Sequence, residues 1–564
     1  MGSNGPQKTF HCDALIVGAG FSGIYGLHKL RKLGLTVQVF EAGGDLGGVW
    51  HWNRYPGARV DSEWPYYQLS LPEVWKDFYF TERFSSSEEV RAYFAHADRV
   101  LDLKKDIQFN ARVNSATWDA TTCRWTVTTE AGHVGVAKYL CLFTGLLHRQ
   151  HLPEFPGLET YKGQTYHSTA WPEDVDITGK RVAVIGAGAT AVQVVQEVAK
   201  KASHLAMFMR RPSLCLPLGN RDISEGEQDS WKPYLRILFD AGRKSAGGFP
   251  RPPPTKGIFE LSDAERDEHY ETIWKSGAFN FFGGNFRETL VDHRANRIAY
   301  DFWAKKTRAR FSNPVKRDLM APLEPPYPIL TRRSPLESDY YDCLDQDHVE
   351  IVPLLQTPFQ TFTETGIQTA DGRLRDFDYV ILATGFESFT GSVATMNVKS
   401  KDGVDMKDIW AEGIRTYLGM LVHGFPNCFL SYSPQGTSLT SSTKAARDNE
   451  MTAPTALSNG PTILECQVDF IVDAIDKMEK QGLATIEPTA EAEEQWRQKI
   501  IDASSPTLLA ETDSWWTVTN IPGAKKQFLS YIGGIDRYEA ECRNALETWK
   551  GFHIQEAMND AARL

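Results

Sequence analysis

Apolar residues run without alternation through DALIV, residues 13–17, the pattern of a strand covered on both faces. A glycine-rich turn follows, then GIYGLHKLRKLG, residues 23–34, with apolar positions at helical spacing. LTVQVF, residues 35–40, reads as the next strand. The succession repeats in RVAVIGAGATAVQVVQEVAKKA (181–202) and HLAMFM (204–209), and another buried strand opens DYVILATGF (378–386). Strand, turn, helix and strand in this order predict parallel α/β units. Between the second unit and residue 378 the pattern changes. GGFPRPPPTKG (247–257) breaks it, and ELSDAERDEHYETIW (260–274) begins a helix at which Ser262 and Glu265 form a capping box. Phe279, Phe281, Phe282 and Phe286 then read as the packing core of a helical insertion. ILECQVDFIVDAIDKMEKQG (463–482) is again helical, so the last hundred residues are expected to fold back on the first unit.

The two turns carry the chemistry. Gly18, Gly20, Phe21, Ser22 and Gly23 join strand to helix, where glycines allow a tight turn and close backbone approach to a dinucleotide pyrophosphate. Glu41, at the end of the next strand, can accept hydrogen bonds from adenosine ribose hydroxyls. In the second unit Gly186, Gly188 and Ala191 take the fingerprint positions, but its next strand ends in Arg210 and Arg211. An arginine pair suits a 2′-phosphate, which a carboxylate would repel, so NADPH is expected there. Two solvated arginines at a strand end are the other reading. A-T-G at 383–385 and F-T-G at 143–145 mark two crossings between the units. The expected fold class is α/β: two Rossmann-like domains, one for FAD and one for NADP, the NADP domain inserted in the FAD domain and carrying the helical insertion. The expected boundaries are 1–148 and 386–564 for FAD, 149–222 and 330–385 for NADP, and 223–329 for the insertion.

Composition narrows the partners. The 564 residues carry a formal charge of -11, which disfavours nucleic acid. Eight cysteines without a C-x-x-C pair give neither a disulfide framework nor a zinc spacing, and a reducing compartment is expected. His148 and His151 lack a third ligand nearby, so no metal is expected. No apolar run is long enough to span a bilayer, and the start has no signal-like apolar region. A soluble cytoplasmic monomer without membrane contact is expected, with Ala562-Arg563-Leu564 as a loose peroxisomal address.

Two further stretches identify a family. GGVWHWNRYPGARVD (47–61) fits G-G-x-W-x-x-x-x-Y-P-G-x-x-x-D, and YKGQTYHSTAWP (161–172) fits F-x-G-x-x-x-H-x-x-x-W-P with Tyr161 for the first Phe. The chain thus resembles the type I Baeyer–Villiger monooxygenases, class B flavoproteins, and a fungal-type member among them. TRRSPLESDYYD (331–342), HGFPNCFLSYSP (423–434), PTALSNGP (454–461) and DSWWTVTNIPG (513–523) extend the likeness over nearly the whole chain. The Tyr161 hydroxyl needs a partner of its own.

The resemblance implies FAD and NADPH as cofactors, O₂ and a small-molecule ketone as substrates, and an ester or lactone as product through a C4a-peroxyflavin. It implies that Arg333 stabilises the anionic oxygen, with Asp61 orienting its guanidinium. His167 would couple cofactor arrangement to domain position while Trp171 supports the linker. Arg332 would join Arg210 at the NADP phosphate, Thr190 and Gln193 would contact NADP, Trp515 would pack near the nicotinamide half, and Trp50, Tyr55 and Tyr67 would line FAD. An N- or S-oxygenating relative is the alternative, and a dinucleotide-binding sensor without turnover the alternative of another class. GTSLTSSTKAARDNEMTA (436–453) departs from the family pattern and reads as a polar surface loop near the flavin.

Overall fold

The computed structural model describes residues 7–250, 254–438, 458–519 and 525–557. Most of the polar stretch 436–453 and the whole of 562–564 lie outside these residues.

The apolar run at 13–17 forms the middle of a strand, Thr9–Val17, in a seven-stranded sheet. It pairs in parallel with Val37–Phe40 on one side and Val134–Leu142 on the other, so Val17 lies opposite both Phe40 and Leu142. That register brings Gly18, Glu41 and Phe143 together at one end of the sheet. Cys428–Leu430 adds a further parallel strand beside Val134–Leu142, so the chain returns to this sheet after a long excursion. The excursion contains a five-stranded parallel sheet in the order Val349–Pro353, His204–Met209, Arg181–Ile185, Tyr379–Leu382, Gln164–His167.

The helices follow the sequence patterns closely. The first spans Phe21–Lys32, and Ser262 and Glu265 close a capping box on Asp263–Lys275. Gly460–Gln481 packs on the first helix, with the Tyr25 hydroxyl donating to Asp469 Oδ1 at 2.9 Å. Within the insertion Tyr270, Phe281 and Phe302 stack with centroids 5.1–5.8 Å apart. A small antiparallel sheet, Phe359–Phe362, Gly366–Thr369 and Leu374–Asp376, is an element the hydrophobic pattern did not announce.

The units are joined where the chain crosses between them. Residues 150 and 386 form a bridge, the His151 amide donates to the Gly385 carbonyl at 3.0 Å, and Thr384 Oγ1 donates to the His151 carbonyl at 2.6 Å. His167, the last residue of Gln164–His167, closes this junction. Its Nδ1 accepts from the Thr169 amide at 3.3 Å, which leaves Nε2 as the protonated nitrogen facing the Gly385 carbonyl at 3.2 Å. The Tyr161 hydroxyl finds its partner in the Phe377 carbonyl at 3.0 Å. Trp171 packs beside Tyr166, with centroids 5.7 Å apart, and Glu173 just beyond it pairs with Arg54 of the first unit.

The YPG turn is the second contact between the units. Gly57 has φ +81°, and a Cβ there would lie 2.6 Å from the Gln193 carbonyl oxygen. Backbone meets backbone because no side chain intervenes. Next to it the Tyr55 hydroxyl donates to Gln193 Oε1 at 2.8 Å, and Gln193 Nε2 donates to the Arg59 carbonyl at 3.0 Å.

Gly57→Ala is expected to destabilise the protein by about 2 kcal/mol or more, combining left-handed strain with the clash on Gln193, and thermal unfolding measures it. Burial lowers the His167 pKa from the ordinary 6.5 more than the Gly385 hydrogen bond raises it. The unfolded chain therefore binds the proton first as pH falls, and stability is expected to drop below about pH 6.5. Melting curves between pH 7 and 5 check this. His167→Gln should show a smaller acid slope than the parent.

Candidate functional site

A cavity of about 380 Å³ opens at the end of the first sheet and runs to the face of the second unit. Its closed end is made of glycines. Gly18 has φ +107°, and a Cβ on it would lie 2.5 Å from the Phe143 carbonyl oxygen, while a Cβ on Gly48 would lie 3.0 Å from the Gly20 Cα. Glu41 is buried here, its Oε2 accepting from the Ala19 amide at 2.6 Å and its Oε1 from the Gly43 amide at 2.7 Å. Burial raises its pKa against these hydrogen bonds. A carboxylate has lone pairs left after two such bonds. The bare backbone and buried acid fit the pyrophosphate and ribose of FAD.

The walls are aromatic. Trp50 Nε1 donates to the Tyr67 hydroxyl at 2.9 Å, and the Tyr67 ring meets Phe21 edge to face at 5.4 Å. Burial pushes the Tyr55 phenol up to about 12 and also raises that of Tyr67, so both remain neutral donors. Ser22 Oγ lies 3.0 Å from Ser431 Oγ, joining the first helix to the strand returning at Cys428–Leu430. Trp515 lines the cavity and packs on Phe389 at 5.5 Å.

Arg333 and Asp61 meet in this cavity as an ion pair across 272 residues of chain. Burial pulls the guanidinium pKa down, but the charge and hydrogen bond of Asp61 outweigh it and the net shift is upward. The Phe279 ring lies 5.3 Å from the guanidinium carbon. Tyr67 and Tyr432 also face the pair, and each feels the charges of Arg333 and Asp61.

Arg332 has the opposite electrostatics. Burial lowers its pKa, and Arg211 and Arg210 repel it further. Its guanidinium stacks 4.4 Å from the Tyr327 ring centre, and its buried Nε has no hydrogen-bond partner among the described residues. Three arginines gathered around one unmet donor fit a phosphate dianion. The second glycine turn lies on the same unit: Gly186 has φ +125° and Gly188 faces open space, while Ala191 is buried. Thr190 lines the cavity beside the Tyr55 hydroxyl, whereas Gln193 has both ends of its amide engaged with Tyr55 and Arg59. His167 stands behind the site at the junction, its ring edge to face with Phe386 at 5.8 Å.

Sequence reasoning missed three groups. Phe279 was read only as packing core, yet it supports Arg333. Tyr432 carried no signal beyond its place in HGFPNCFLSYSP. His148 lines the cavity and accepts from Arg112 Nη1 at 2.8 Å, and burial with that neighbouring charge holds its pKa down to about 4. Its place three residues after the F-T-G turn was the available clue.

The flavin-binding monooxygenase-like family profile matches residues 13–222. FAD-binding monooxygenase acrE of Aspergillus aculeatus is 41% identical over 98% of this chain and 90% of its own length. Cyclopentanone 1,2-monooxygenase of Comamonas sp. is 38% identical over 96% of each chain. The crystal structure of cyclohexanone monooxygenase from Rhodococcus sp. Phi1 bound to NADP⁺ superposes with a TM-score of 0.91 at 32% identity, covering 98% of this chain and 100% of that one. The glycine cradle, the arginine cluster and these likenesses over the full length converge: the chain belongs to the flavin-binding monooxygenases, and among them to the Baeyer–Villiger enzymes, oxidoreductases that use FAD and NADPH.

Proposed function

We propose that Arg333, held by Asp61, is the group that stabilises negative charge on oxygen while a ketone is converted to an ester or lactone. The observation that carries this is the ion pair inside the cavity whose other end is the glycine cradle. When bound, FAD supplies the two-electron chemistry by which NADPH, a proton, O₂ and ketone give ester, NADP⁺ and water.

The side chains divide the remaining work. Glu41 and the amides around Gly18 and Gly20 bind ribose and pyrophosphate. Arg332, Arg210 and Arg211 bind the 2′-phosphate, and Thr190 borders the nicotinamide half. Asp61 fixes the plane of the Arg333 guanidinium, so its N–H groups point in one direction without reorganising as charge develops. The charge of Asp61 favours the charged form of Arg333. Trp50, Tyr67, Phe279 and Trp515 exclude water, which would weaken that field. His167 and Trp171 hold the second unit in register with the first. The ketone stands against Arg333 within the cavity that Arg333 and Asp61 line. The relatives make cyclopentanone, cyclohexanone and acetone the first substrates to test. The proposed FAD domain comprises 1–148 and 386–564, the NADP domain 149–222 and 330–385, and the insertion 223–329.

NADPH is expected to exceed NADH in kcat/KM by at least about ten- to a hundredfold, the worth of a single charge-assisted contact to the 2′-phosphate at about 1.5–3 kcal/mol. Steady-state kinetics with both cofactors check this, and equal values would remove the phosphate assignment. Arg333→Ala is expected to keep NADPH-dependent flavin bleaching while ester formation falls by about 10²–10³ or more. Arg333→Lys should recover only part, since it restores charge without the planar fork. Rapid mixing with NADPH, then oxygenated buffer and ketone, separates the two halves. Ester formation at the parent rate in Arg333→Ala would sink the proposal.

A further inference from the structure

Arg243 closes the helix Leu235–Arg243 at the start of the insertion, far in sequence from every motif of the site. Its Nη2 lies 2.7 Å from Asp469 Oδ2 and 3.4 Å from Glu465 Oε2, and its Nη1 lies 3.4 Å from Glu539 Oε1. These carboxylates stand on Gly460–Gln481 and Ile535–Thr548, which belong with the first sheet. Glu465 is buried and also accepts from Ser70 N and Ser70 Oγ at 2.7 and 2.6 Å. Asp469 takes the Tyr25 hydroxyl and Lys29 Nζ as well. A guanidinium is the side chain suited to three acids at once, because its five donors diverge in a fixed plane.

The segment after Arg243 continues the attachment. The Asn459 amide donates to the Gly247 carbonyl at 3.0 Å, the Ile535 amide to the Ala246 carbonyl at 3.2 Å, and Phe249 packs on Tyr66 at 5.3 Å. Asn459 Nδ2 in turn donates to the Tyr66 carbonyl at 2.6 Å. Tyr67 comes next in the chain, and Ser458, Gly460 and Leu464 line the cavity. The other end of the insertion is fastened to the second unit, where Trp303 Nε1 donates to the Cys215 carbonyl at 2.8 Å and Arg310 pairs with Glu337. The insertion therefore straddles both nucleotide units, and Phe279 of its middle supports Arg333.

We propose that Arg243 is a positioning residue for oxygen transfer, an ionic latch that fixes the insertion on the FAD side and thereby sets the cavity wall at 458–464 and the Phe279 support of Arg333. This rests on the proposed reading of Arg333. With the latch intact each NADPH consumed yields one ester. With it released, the wall relaxes, and NADPH and a proton reduce O₂ to hydrogen peroxide without transfer to the ketone.

The test uses the flavin-loaded full chain with Arg243→Gln and Arg243→Lys. Arg243→Gln should retain flavin, exchange amide hydrogens faster at 458–470, and lower the ester-to-NADPH ratio by about tenfold or more, up to the ~10²-fold that a 1 Å displacement of reacting groups can cost. Arg243→Lys should recover part of the ratio. If Arg243→Gln fails to fold, Glu539→Gln weakens the latch at its rim and should shift both readouts in the same direction. Unchanged exchange at 458–470 together with an unchanged ratio would overturn the latch, and so would a lower melting point without either change. A parent that makes no ester would instead defeat the reading of Arg333, while hydrogen exchange would still decide the latch.

Discussion

A charged guanidinium inside an aromatic-walled cavity is the constraint on which the rest of this structure turns. Left alone, Arg333 would suffer the desolvation that holds its neighbour Arg332 down; beside Asp61 its charge is secured instead. The pair works only if two distant parts of the chain stay in register. Asp61 follows the YPG turn of the first unit, whereas Arg333 enters from the end of the insertion. Geometry between units is thus part of the electrostatics.

The contacts between units serve that register in complementary ways. Gly57 permits a backbone approach that no side chain could share, and Gln193 adds a donor and an acceptor pointing the same way. His167 contributes a neutral ring whose one proton is directed by the Thr169 amide behind it. Each of these is a short-range interaction sensitive to small displacements.

Much of the fold was legible because it follows from local rules. HLAMFM is the strand His204–Met209 residue for residue, and the Ser262–Glu265 spacing gives the helix start. Gly18 and Gly186 take the positive φ that their turns demand. What local rules cannot supply is the choice of partner across the chain. Nothing around Phe279 distinguishes it from Phe281, yet one supports Arg333 and the other stacks on Phe302. Gln193 was legible as a residue after a fingerprint, but its engagement with Tyr55 depends on a docking angle that no periodicity encodes. The small antiparallel sheet at 359–376 was missed because its strands are only three or four residues long, too short to show a period.

The double crossing has one more consequence. The chain leaves the first sheet near residue 150 and returns near 386, and these two points are hydrogen bonded to each other. More than two hundred residues thus leave and rejoin the first sheet through links no wider apart than a strand pair, while the YPG turn and the Arg243 ion pairs hold the bodies together elsewhere. The host sheet is therefore continuous in space though not in sequence, because Cys428–Leu430 can still pair with Val134–Leu142 once the excursion has closed on itself.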